Sequence, residues 1–526
     1  MQLAHQAAFA IGPLEVRPST CEVIAPGRRE VVQPRVMQVL VALARARGAV
    51  VSRDDLIATC WGGRVVGEDA VTLVMMKLRK LAARSGGVFA VETVPRVGYR
   101  LTLEGAPGDS SAAAAGRVRP RVAVLEFTHA PGDDEQAGFA EVLSDELTTG
   151  LSKSPLLAVA PRQALLPSDG GGRRAGAICD RLGVNYLLDG KLRSLGGTIR
   201  VSVDLIQGSD EISIWSARYD RPMTDLFATV NEITTSIIGA VEPALLEREE
   251  ARAMRNSEPD LQFWRLFVRG RRLFWRSTEK DVREAENLLD QALALEPDDV
   301  SALSMLAHCK LYAVWVGTAA DPAGAIAEAH RIALRAVDAG SFDAFAHYTL
   351  GVVLSLMNRL DEAKAEQRRA LELNRYLAAA SGELGRLLAF EGQSDEAVTY
   401  SERAIAASPN DPHAWLWFRA KAIARFIAGD YAAAARDAAD ACARGPERFP
   451  LHILLAACYG AAGRLPQARR ALENGERLAH QRVGPVRSNA SPYTLEALKT
   501  GHPFTHQAHL DRLIEALKTA GWKGAD

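Results

Sequence analysis

The fold of the N-terminal part of this 526-residue chain is decided by residues Gly67 to Arg100, GEDAVTLVMMKLRKLAARSGGVFAVETVPRVGYR. In its first half, apolar side chains recur at the spacing of one helix face: Val71, Val74, Met75, Leu78 and Leu81. The opposite face of this helix carries Thr72, Met76, Lys77, Arg79 and Lys80. The spacing therefore predicts an amphipathic helix with one buried face and one basic face.

The basic face suits the major groove of DNA, where Lys and Arg reach phosphates and guanine edges and methyl-bearing side chains meet thymine. The alternative is a solvated amphipathic helix without a ligand. The segment that follows, ETVPRVGYRLTL, favours DNA, because it alternates apolar and polar residues on both sides of a turn. We expect a hairpin with Arg96 at its tip and Gly98 where the backbone bends sharply. A recognition helix followed by a basic hairpin is a winged helix.

Three separated motifs carry a family resemblance: VVSRDDLIATCW (50–61), LRKL (78–81) and TVPRVGYRL (93–101). In this order and spacing they closely resemble the OmpR/PhoB-type winged helix-turn-helix, in the branch of CadC- and HilA-like regulators. The resemblance covers about residues 1–103. The usual wing motif is T-V-R-G-x-G-Y, whereas here Pro95 and Arg96 occupy the Arg and Gly positions, so the wing cation is displaced by one residue. The DNA-binding residues that we expect are Thr72, Met76, Lys77, Arg79, Lys80, Arg96 and Arg100.

The segments before the basic helix fit the same module. Short strands are predicted in FAIGPLEV, CEVIA and REVVQ, within residues 8–33. Pro34 begins a helix that packs through Val36, Leu40, Leu43 and Ala44 and stops near Gly48. Ser52 caps the next helix, which has Asp54 and Asp55 in its first turn. No receiver pattern precedes the module, so we expect the regulatory signal to enter from the C-terminal side.

Charge and composition restrict the partners. Residues 1–103 hold 14 Lys and Arg against 8 Asp and Glu, a net charge of +6, so the remainder carries −7 within a total of −1. Only the first domain is electrostatically suited to nucleic acid. The best candidate for a membrane span, 36–51, is interrupted by Arg45 and Arg47, and there is no signal-peptide pattern, so we expect no membrane segment and a cytoplasmic protein. The six Cys residues are scattered, which predicts neither disulfides nor zinc.

A second domain is predicted after a small-residue linker at 104–120. Its sequence alternates strands and helices: RVAVLEF, a helix at 135–152, LLAVAPRQAL, the helix AGAICDRLG, then NYLLDGKLRS, TIRVSVDLIQ and ISIWSARYDR, and a last helix LFATVNEITTSIIGAV. This order resembles the TolB N-terminal-like domain found beside adenylate cyclases and CadC-like regulators, which implies an α/β domain at 121–247 and no catalytic residues. The loop Gly170 to Arg174 lacks the Lys-Ser/Thr pair of a phosphate-binding loop.

Repeats are predicted in 260–480. Small residues seven apart occur at Ala285/Ala292, Ala329/Ala336, Ala363/Ala370, Ala397/Ala404, Ala434/Ala441 and Ala468/Gly475. Further small residues precede four of these pairs by twelve positions: Gly351, Gly385, Ala422 and Ala456. A period near 34 is typical of tetratricopeptide repeats, whereas Ala-rich helices without a register predict no fixed period. We expect about six repeats in a right-handed superhelix with a concave face.

The tail at 481–526 is predicted to end in a capping helix, HQAHLDRLIEALKTAG. His502, His506 and His509 could suggest a metal site. Because no Cys or suitable acidic ligand accompanies them, surface histidines at a helix start are the favoured interpretation.

The fold class predicted is thus multidomain: an α+β winged helix, an α/β middle domain and an all-α tetratricopeptide-repeat superhelix. The leading hypothesis is a soluble one-component transcriptional regulator that binds double-stranded promoter DNA. A protein or peptide partner is expected on the repeats, RNA polymerase is a further candidate partner, and no cofactor is expected. The alternative is an interaction scaffold with a degenerate winged helix, whereas an enzyme is disfavoured because no nucleophile-base set, carboxylate pair or phosphate loop is found.

Overall fold

A computed structural model describes residues 3, 8–11, 14–25, 28–46, 51–61, 68–85, 88–94, 98–103, 119–130, 132–161, 174–195, 197–222, 226–253, 262–276, 278–316, 318–409, 411–483 and 494–524. The chain forms two compact units. One comprises Met1–Arg117 with Asp338–Phe342, and the other comprises Val118–Val337 with Asp343–Asp526.

The N-terminal domain combines two small sheets with three helices. Its elements are β1 (Phe9–Ile11), β2 (Leu14–Arg17), β3 (Glu22–Ala25), β4 (Arg28–Val31), α1 (Pro34–Arg45), β5 (Val51–Ser52), α2 (Arg53–Trp61), α3 (Glu68–Arg84), β6 (Phe89–Val94) and β7 (Gly98–Leu103). The first sheet has the order β1-β2-β3-β4 and is antiparallel, and the second has the order β5-β7-β6. This arrangement is the predicted winged helix.

One detail of the first sheet differs from the sequence prediction. FAIGPLEV was expected as a single strand, but it forms the two strands β1 and β2, with Ile11 paired to Leu14. Because Pro cannot donate to a ladder, the Gly-Pro pair at 12–13 was a signal that FAIGPLEV is not one continuous strand; these two residues lie outside the described part of the chain.

Local sequence explains the helices of this domain. Pro34 occupies the first turn of α1, where its missing N–H costs no hydrogen bond. Val36, Leu40 and Leu43 are buried as predicted, and the predicted stop at Gly48 lies outside the described residues. The Oγ of Ser52 accepts a hydrogen bond from the backbone N of Asp55 at 3.1 Å, which confirms the predicted cap of α2.

The hairpin shows why position 98 must be glycine. Val94 pairs with Gly98 across β6 and β7, and the predicted tip at Arg96 lies outside the described residues. Ser52 of β5 pairs with Gly98, and a Cβ added at Gly98 would stand 2.0 Å from the carbonyl oxygen of Val51. The close approach of β5, rather than the turn, is therefore what excludes a side chain.

The middle domain begins the second unit. Its elements are β8 (Arg121–Val124), α4 (Asp134–Leu151), β9 (Ala158–Val159), α5 (Ala175–Leu182), β10 (Tyr186–Leu195), β11 (Thr198–Gln207), β12 (Ile212–Pro222) and α6 (Leu226–Ala253). The strands form one sheet in the order β12-β11-β10-β8-β9, in which β10, β8 and β9 are parallel and β10, β11 and β12 are antiparallel. The predicted linker and the Gly170 to Arg174 loop lie mostly outside the described residues.

The core of the middle domain lies between one sheet face and two helices. Alternate residues of β11 are buried, at Ile199, Val201, Val203 and Leu205. They pack with apolar residues of α4 and α6, whereas α5 covers a smaller apolar group on the other face. Such alternation of buried and more exposed residues is typical of a strand in a sheet that has one face packed on the core.

Helix α6 joins the middle domain to the repeats. The Oη of Tyr186 in β10 donates a hydrogen bond of 2.6 Å to Glu249, near the C-terminal end of α6. At Gly239 the helix lies so close to the repeats that a Cβ would stand 1.7 Å from the carbonyl oxygen of Ala407. Tyr376 is buried in the core of the middle domain and donates a hydrogen bond of 2.7 Å to Glu146 of α4. The two domains therefore share a core.

The remaining helices are α7 (Gln262–Trp275), α8 (Glu279–Leu295), α9 (Val300–Trp315), α10 (Pro322–Ala339), α11 (Ala344–Leu356), α12 (Leu360–Leu373), α13 (Ala378–Glu391), α14 (Ser394–Ala407), α15 (Ala414–Ala428), α16 (Tyr431–Arg444), α17 (Phe449–Ala461), α18 (Leu465–Val483), α19 (Leu495–Gly501) and α20 (Gln507–Ala520). Helices α7–α18 are the successive helices of the repeats. The alanines of the seven-residue pairs all have no exposed surface, which confirms the predicted register: Ala285, Ala292, Ala329, Ala336, Ala363, Ala370, Ala397, Ala404, Ala434, Ala441 and Ala468.

The tail is more deeply buried than the sequence predicted. Leu498, Leu513, Leu517 and Trp522 belong to the apolar core of the last repeats. His502, expected at the surface, is buried, and this burial lowers the pKa of its imidazole to about 3. The prediction was wrong because the tail packs on the helices instead of ending in solvent. His506 is exposed and His509 is half-buried.

Candidate nucleic-acid interface on the winged helix

Helix α3 has the predicted buried face. Val71, Val74, Met75, Leu78 and Leu81 all belong to the apolar core of the winged helix. Because successive turns of a helix place residues three and four apart on the same side, this burial fixes which side chains face outward. The side chain of Thr72 lies outside the described residues, although its backbone is part of α3.

A stripe of four exposed residues runs along the outward face: Leu73, Met76, Lys80 and Arg84. Leu73 is 47% exposed and Met76 is 43% exposed, so two large apolar side chains lie three residues apart on the outward face. Sequence reasoning identified Met76 and Lys80 but missed Leu73 and Arg84. Their spacing from Met76 and Lys80, three and four residues, was the signal that could have identified them.

Two further cations flank this stripe on opposite sides, and each contacts a neighbouring element. The Nζ of Lys77 donates to Oε1 of Gln33, the residue before α1, at 2.7 Å. The Nε of Arg79 donates to the carbonyl oxygen of Val91 in β6, at 2.9 Å. Arg79 therefore ties α3 to the hairpin, a structural role that the sequence did not indicate. Contact of Lys77 and Arg79 with DNA stays a prediction.

Acidic residues partly balance the remaining cations. The Nε of Arg100 donates to Glu92 at 2.7 Å across the β6–β7 ladder, and both side chains are exposed. Arg84 pairs with Glu30 at 3.2 Å. Surface pairs of this kind contribute little to stability, so a DNA phosphate can compete for such an arginine. The predicted contact of Arg100 is compatible with this pairing, and Arg96 lies outside the described residues.

Neither cysteine of the winged helix, Cys21 or Cys60, is activated as a nucleophile, because burial raises the pKa of both thiols. Burial raises the pKa of the Cys60 thiol to about 11, so this thiol stays protonated near neutral pH. Among all described residues, no group of three or more His, Cys, Asp or Glu side chains could hold a metal ion. In the same residues, no helix combines the length and apolar character needed to cross a bilayer.

The repeats present a second surface of interest, on the first helices of the N-terminal repeats. The ring of His308 lies 6.2 Å from Phe274, 5.7 Å from Trp315, 5.8 Å from Phe345 and 5.5 Å from Tyr348, between ring centroids. Burial, and then the proximity of His413, lowers the pKa of His308 to about 4, so the ring is neutral. Trp315 remains 43% exposed at the margin of this aromatic group.

Two family models match the chain. A model of the C-terminal domain of transcriptional regulatory proteins matches residues 27–101, which include α3 and most of the hairpin. A tetratricopeptide-repeat model matches residues 346–376 and 378–411. Both models describe domains without enzymatic activity.

Two relatives cover parts of the chain. The chain is 32% identical over 250 residues to a putative adenylate cyclase 3 of Rhizobium meliloti, across 47% of this chain and 42% of that protein. It is 33% identical over 101 residues to the transcriptional activator CadC of Escherichia coli, across 19% of this chain and 20% of CadC. The chain thus spans less than half the length of either relative.

The likeness to the solved structure of TolB from Acinetobacter baumannii is slight. The TM-score is 0.19 at 14% identity, over 24% of this chain and 29% of that one. The TolB-like character of the middle domain therefore stays an expectation. The chain carries an OmpR/PhoB-type winged-helix domain at its N-terminus and tetratricopeptide repeats in its C-terminal part.

Proposed function

We propose that this protein is a sequence-specific, DNA-binding transcriptional regulator of the one-component type, acting in the cytoplasm where promoter DNA is found. The outward stripe of α3, inside the matched residues 27–101, is the observation that carries the proposal. The predicted division of the chain at residues 103, 120, 247 and 480 is part of the same proposal.

The chemistry of the stripe fits a major groove. Met76 and Leu73 can contact thymine methyl groups, because both are apolar and exposed. Lys80 at the centre and Lys77 at one side can reach phosphates or guanine edges. Arg79 holds the helix against β6, so we expect it to orient the hairpin as well as to approach DNA.

Regulatory input enters through the middle and repeat domains in this proposal. Stacked helix pairs provide an extended surface suited to a protein or peptide, and RNA polymerase is one candidate partner. The shared core of α6, Tyr376 and Glu146 supports joint action of the two domains, since neither can move without breaking contacts of the other.

We further propose that the chain has no catalytic activity. The relative named an adenylate cyclase is matched over less than half its length, and both matched family models are non-enzymatic. The second candidate function is an interaction scaffold in which the winged helix has lost DNA binding. The exposed Lys80 and Met76 favour the regulator, because a degenerate site has no reason to retain them.

Genomic footprinting of the tagged protein would identify a promoter, and a gel-shift assay would then test the site. Lys77→Ala with Lys80→Ala should abolish specific binding without lowering the melting temperature appreciably. The matched control is Lys191→Ala with Arg193→Ala, which removes two cations from β10. Each lost phosphate contact should reduce the salt slope of log K by about 0.9. Equal affinity of both double variants would favour the scaffold.

Arg79→Ala separates the two roles of that residue. Loss of the hydrogen bond to Val91 should lower the melting temperature of the winged helix, a change that loss of DNA contact alone does not produce. Arg96→Ala should weaken binding in a fully folded protein, because Arg96 is predicted at the hairpin tip.

A further inference from the structure

Strand β12 forms an edge of the middle-domain sheet. Within the part of the chain that the structure describes, it pairs with β11 on one side and with no strand on the other. It runs for 11 residues, whereas the opposite edge strand, β9, has 2. A long edge strand presents a row of backbone donors and acceptors that can pair with another strand.

Side chains alternate regularly along the central part of β12. Ser216, Arg218, Asp220 and Pro222 are exposed on the outer face of the sheet. Trp215, Ala217, Tyr219 and Arg221 point to the core side and are only half-buried. The core of the middle domain is therefore left partly open along this edge, where a continuing sheet would cover it.

The charges on the outer face are self-complementary. Arg218 and Asp220 lie two residues apart, on either side of Tyr219. If a second β12 pairs antiparallel with Tyr219 opposite Tyr219, each Arg218 stands opposite an Asp220 of the other copy. Two opposite-charge pairs then form across the symmetry axis, and such cross-strand pairs are favourable.

Neighbouring registers lack this complementarity. Moving the axis to residue 218 places Arg218 opposite Arg218, and moving it to residue 220 places Asp220 opposite Asp220. Asp220 already accepts hydrogen bonds from Arg200 of β11, at 2.7 and 3.1 Å. In the favoured register Asp220 therefore lies between Arg200 and the Arg218 of the other copy, in an alternating row of charges.

We propose that β12 is a dimerisation edge at which a second copy of this chain pairs antiparallel, centred on Tyr219, to continue the sheet. The alternative, that Arg218, Asp220 and Pro222 protect the edge from pairing, is an outcome of the test below. A dimer would also bring two winged helices into one assembly, a consequence that rests on the proposed function, whereas the pairing itself does not.

The test uses the full-length chain and analytical ultracentrifugation over a concentration series. The wild type should dimerise. Arg218→Asp and Asp220→Arg each place like charges opposite each other twice, so each variant should raise the dimer dissociation constant by about tenfold or more. Arg193→Asp, on the outer face of the interior strand β10, is the matched control and should leave the constant unchanged.

Mixing the two edge variants tests the register directly. In the mixed dimer, one chain is acidic at both positions and the other is basic at both, so each cross-strand pair again joins opposite charges. The heterodimer should therefore form with a dissociation constant near that of the wild type, about tenfold or more below the constant of either variant alone. Circular dichroism and thermal unfolding of each variant show that it is folded. A monomeric wild type, an Arg218→Asp variant with the dissociation constant of the wild type, or a mixture that associates no more tightly than either variant alone would each overturn the proposal.

Discussion

The two halves of the repeat array, α7–α12 and α13–α18, differ in whether the tail of the chain covers their first helices. In the C-terminal half, the tail of the chain does so: the Phe504 ring lies 5.5 Å from that of Phe390 in α13, and Arg512 donates to the carbonyl oxygen of Ile427 in α15 at 2.8 Å. In the N-terminal half, α7, α9 and α11 carry the aromatic group around His308, and Trp275 and Trp315 are 38% and 43% exposed.

This difference indicates where a partner can bind. The C-terminal half obtains its apolar contacts from the same chain, and Leu498 and Leu517 of the tail have no exposed surface. Displacing the tail would re-expose that apolar area, a cost that adds to the ordinary costs of binding a partner there. A partner of the repeats is therefore expected on the N-terminal half. Four experiments test this difference between the two halves.

The largest expected effect comes from removing a buried side chain of the tail. Leu517→Ala leaves a cavity between α20 and the last repeats and should cost about 3 kcal/mol of local stability. Hydrogen exchange should accelerate in α17 and α20 and stay unchanged in α9. Leu465→Ala, at a position 37% exposed, is the control. Uniform acceleration of both halves would contradict the comparison.

The second experiment uses pH. Burial lowers the pKa of His502 to about 3, below the value near 6.5 of an unfolded histidine. As the pH falls, His502 therefore takes up a proton in the unfolded state before it does so in the folded state. The contribution of neutral His502 to the free energy of unfolding is complete above pH 6.5 and is lost as the pH falls toward 3. The loss should reach about 2 kcal/mol at pH 5.

His502→Gln should flatten this pH dependence for the C-terminal half, whereas the exposed His506→Gln should not. Burial also lowers the pKa of His308, to about 4. The N-terminal half should therefore also lose stability as the pH falls, and His502→Gln should not change that loss. Urea unfolding of the variants across this pH range provides the measurement. A profile of His502→Gln that matches the wild type would show that another group controls acid sensitivity.

The third experiment places a methyl group where the tail approaches α17 most closely. A Cβ at Gly460 would stand 2.3 Å from the carbonyl oxygen of Ala516, so Gly460→Ala should push α20 away and cost about 1 kcal/mol or more. Gly138→Ala in α4 meets nothing within 4 Å and should instead stabilise its helix by up to about 1 kcal/mol. If both variants shift the melting temperature in the same direction, α20 does not approach α17 as closely as described.

The smallest effect on stability is expected at Trp315. Because this side chain is 43% exposed, Trp315→Ala should cost less than about 1 kcal/mol, yet it should alter regulated transcription from the footprinted promoter. Leu334→Ala on α10 is matched in exposure, also 43%, and should leave regulation unchanged. Identical reporter activity for both variants would show that the partner does not bind at Trp315 on the N-terminal half.

Features set by local sequence were predictable. The repeat register followed from small residues that all proved buried, because close helix crossings tolerate only small side chains. The buried face of α3 and the cap of α2 at Ser52 followed from spacing and capping chemistry. Each depends on residues within about one helical turn or one repeat of each other.

Features that depend on distant segments were not predictable. The bond from Arg79 to Val91, the burial of His502 and the entry of Tyr376 into the middle-domain core all join parts of the chain that no periodic pattern links. The end of the last helix of the middle domain was not predictable either. Helix α6 continues to Ala253, and Glu249 accepts a hydrogen bond from Tyr186. A fragment ending near Glu247 would therefore lose this contact.

The position of Tyr376 in the chain has a consequence for synthesis on the ribosome. Strands β8–β12 and helix α6 leave the ribosome well before the loop that carries Tyr376, so the middle-domain core stays incomplete until the repeats through α12 have been made. Translation that stops earlier would release a sheet with an open side. Protection of the nascent middle domain from a protease should therefore rise late, when Tyr376 emerges, rather than when its own last strand is complete.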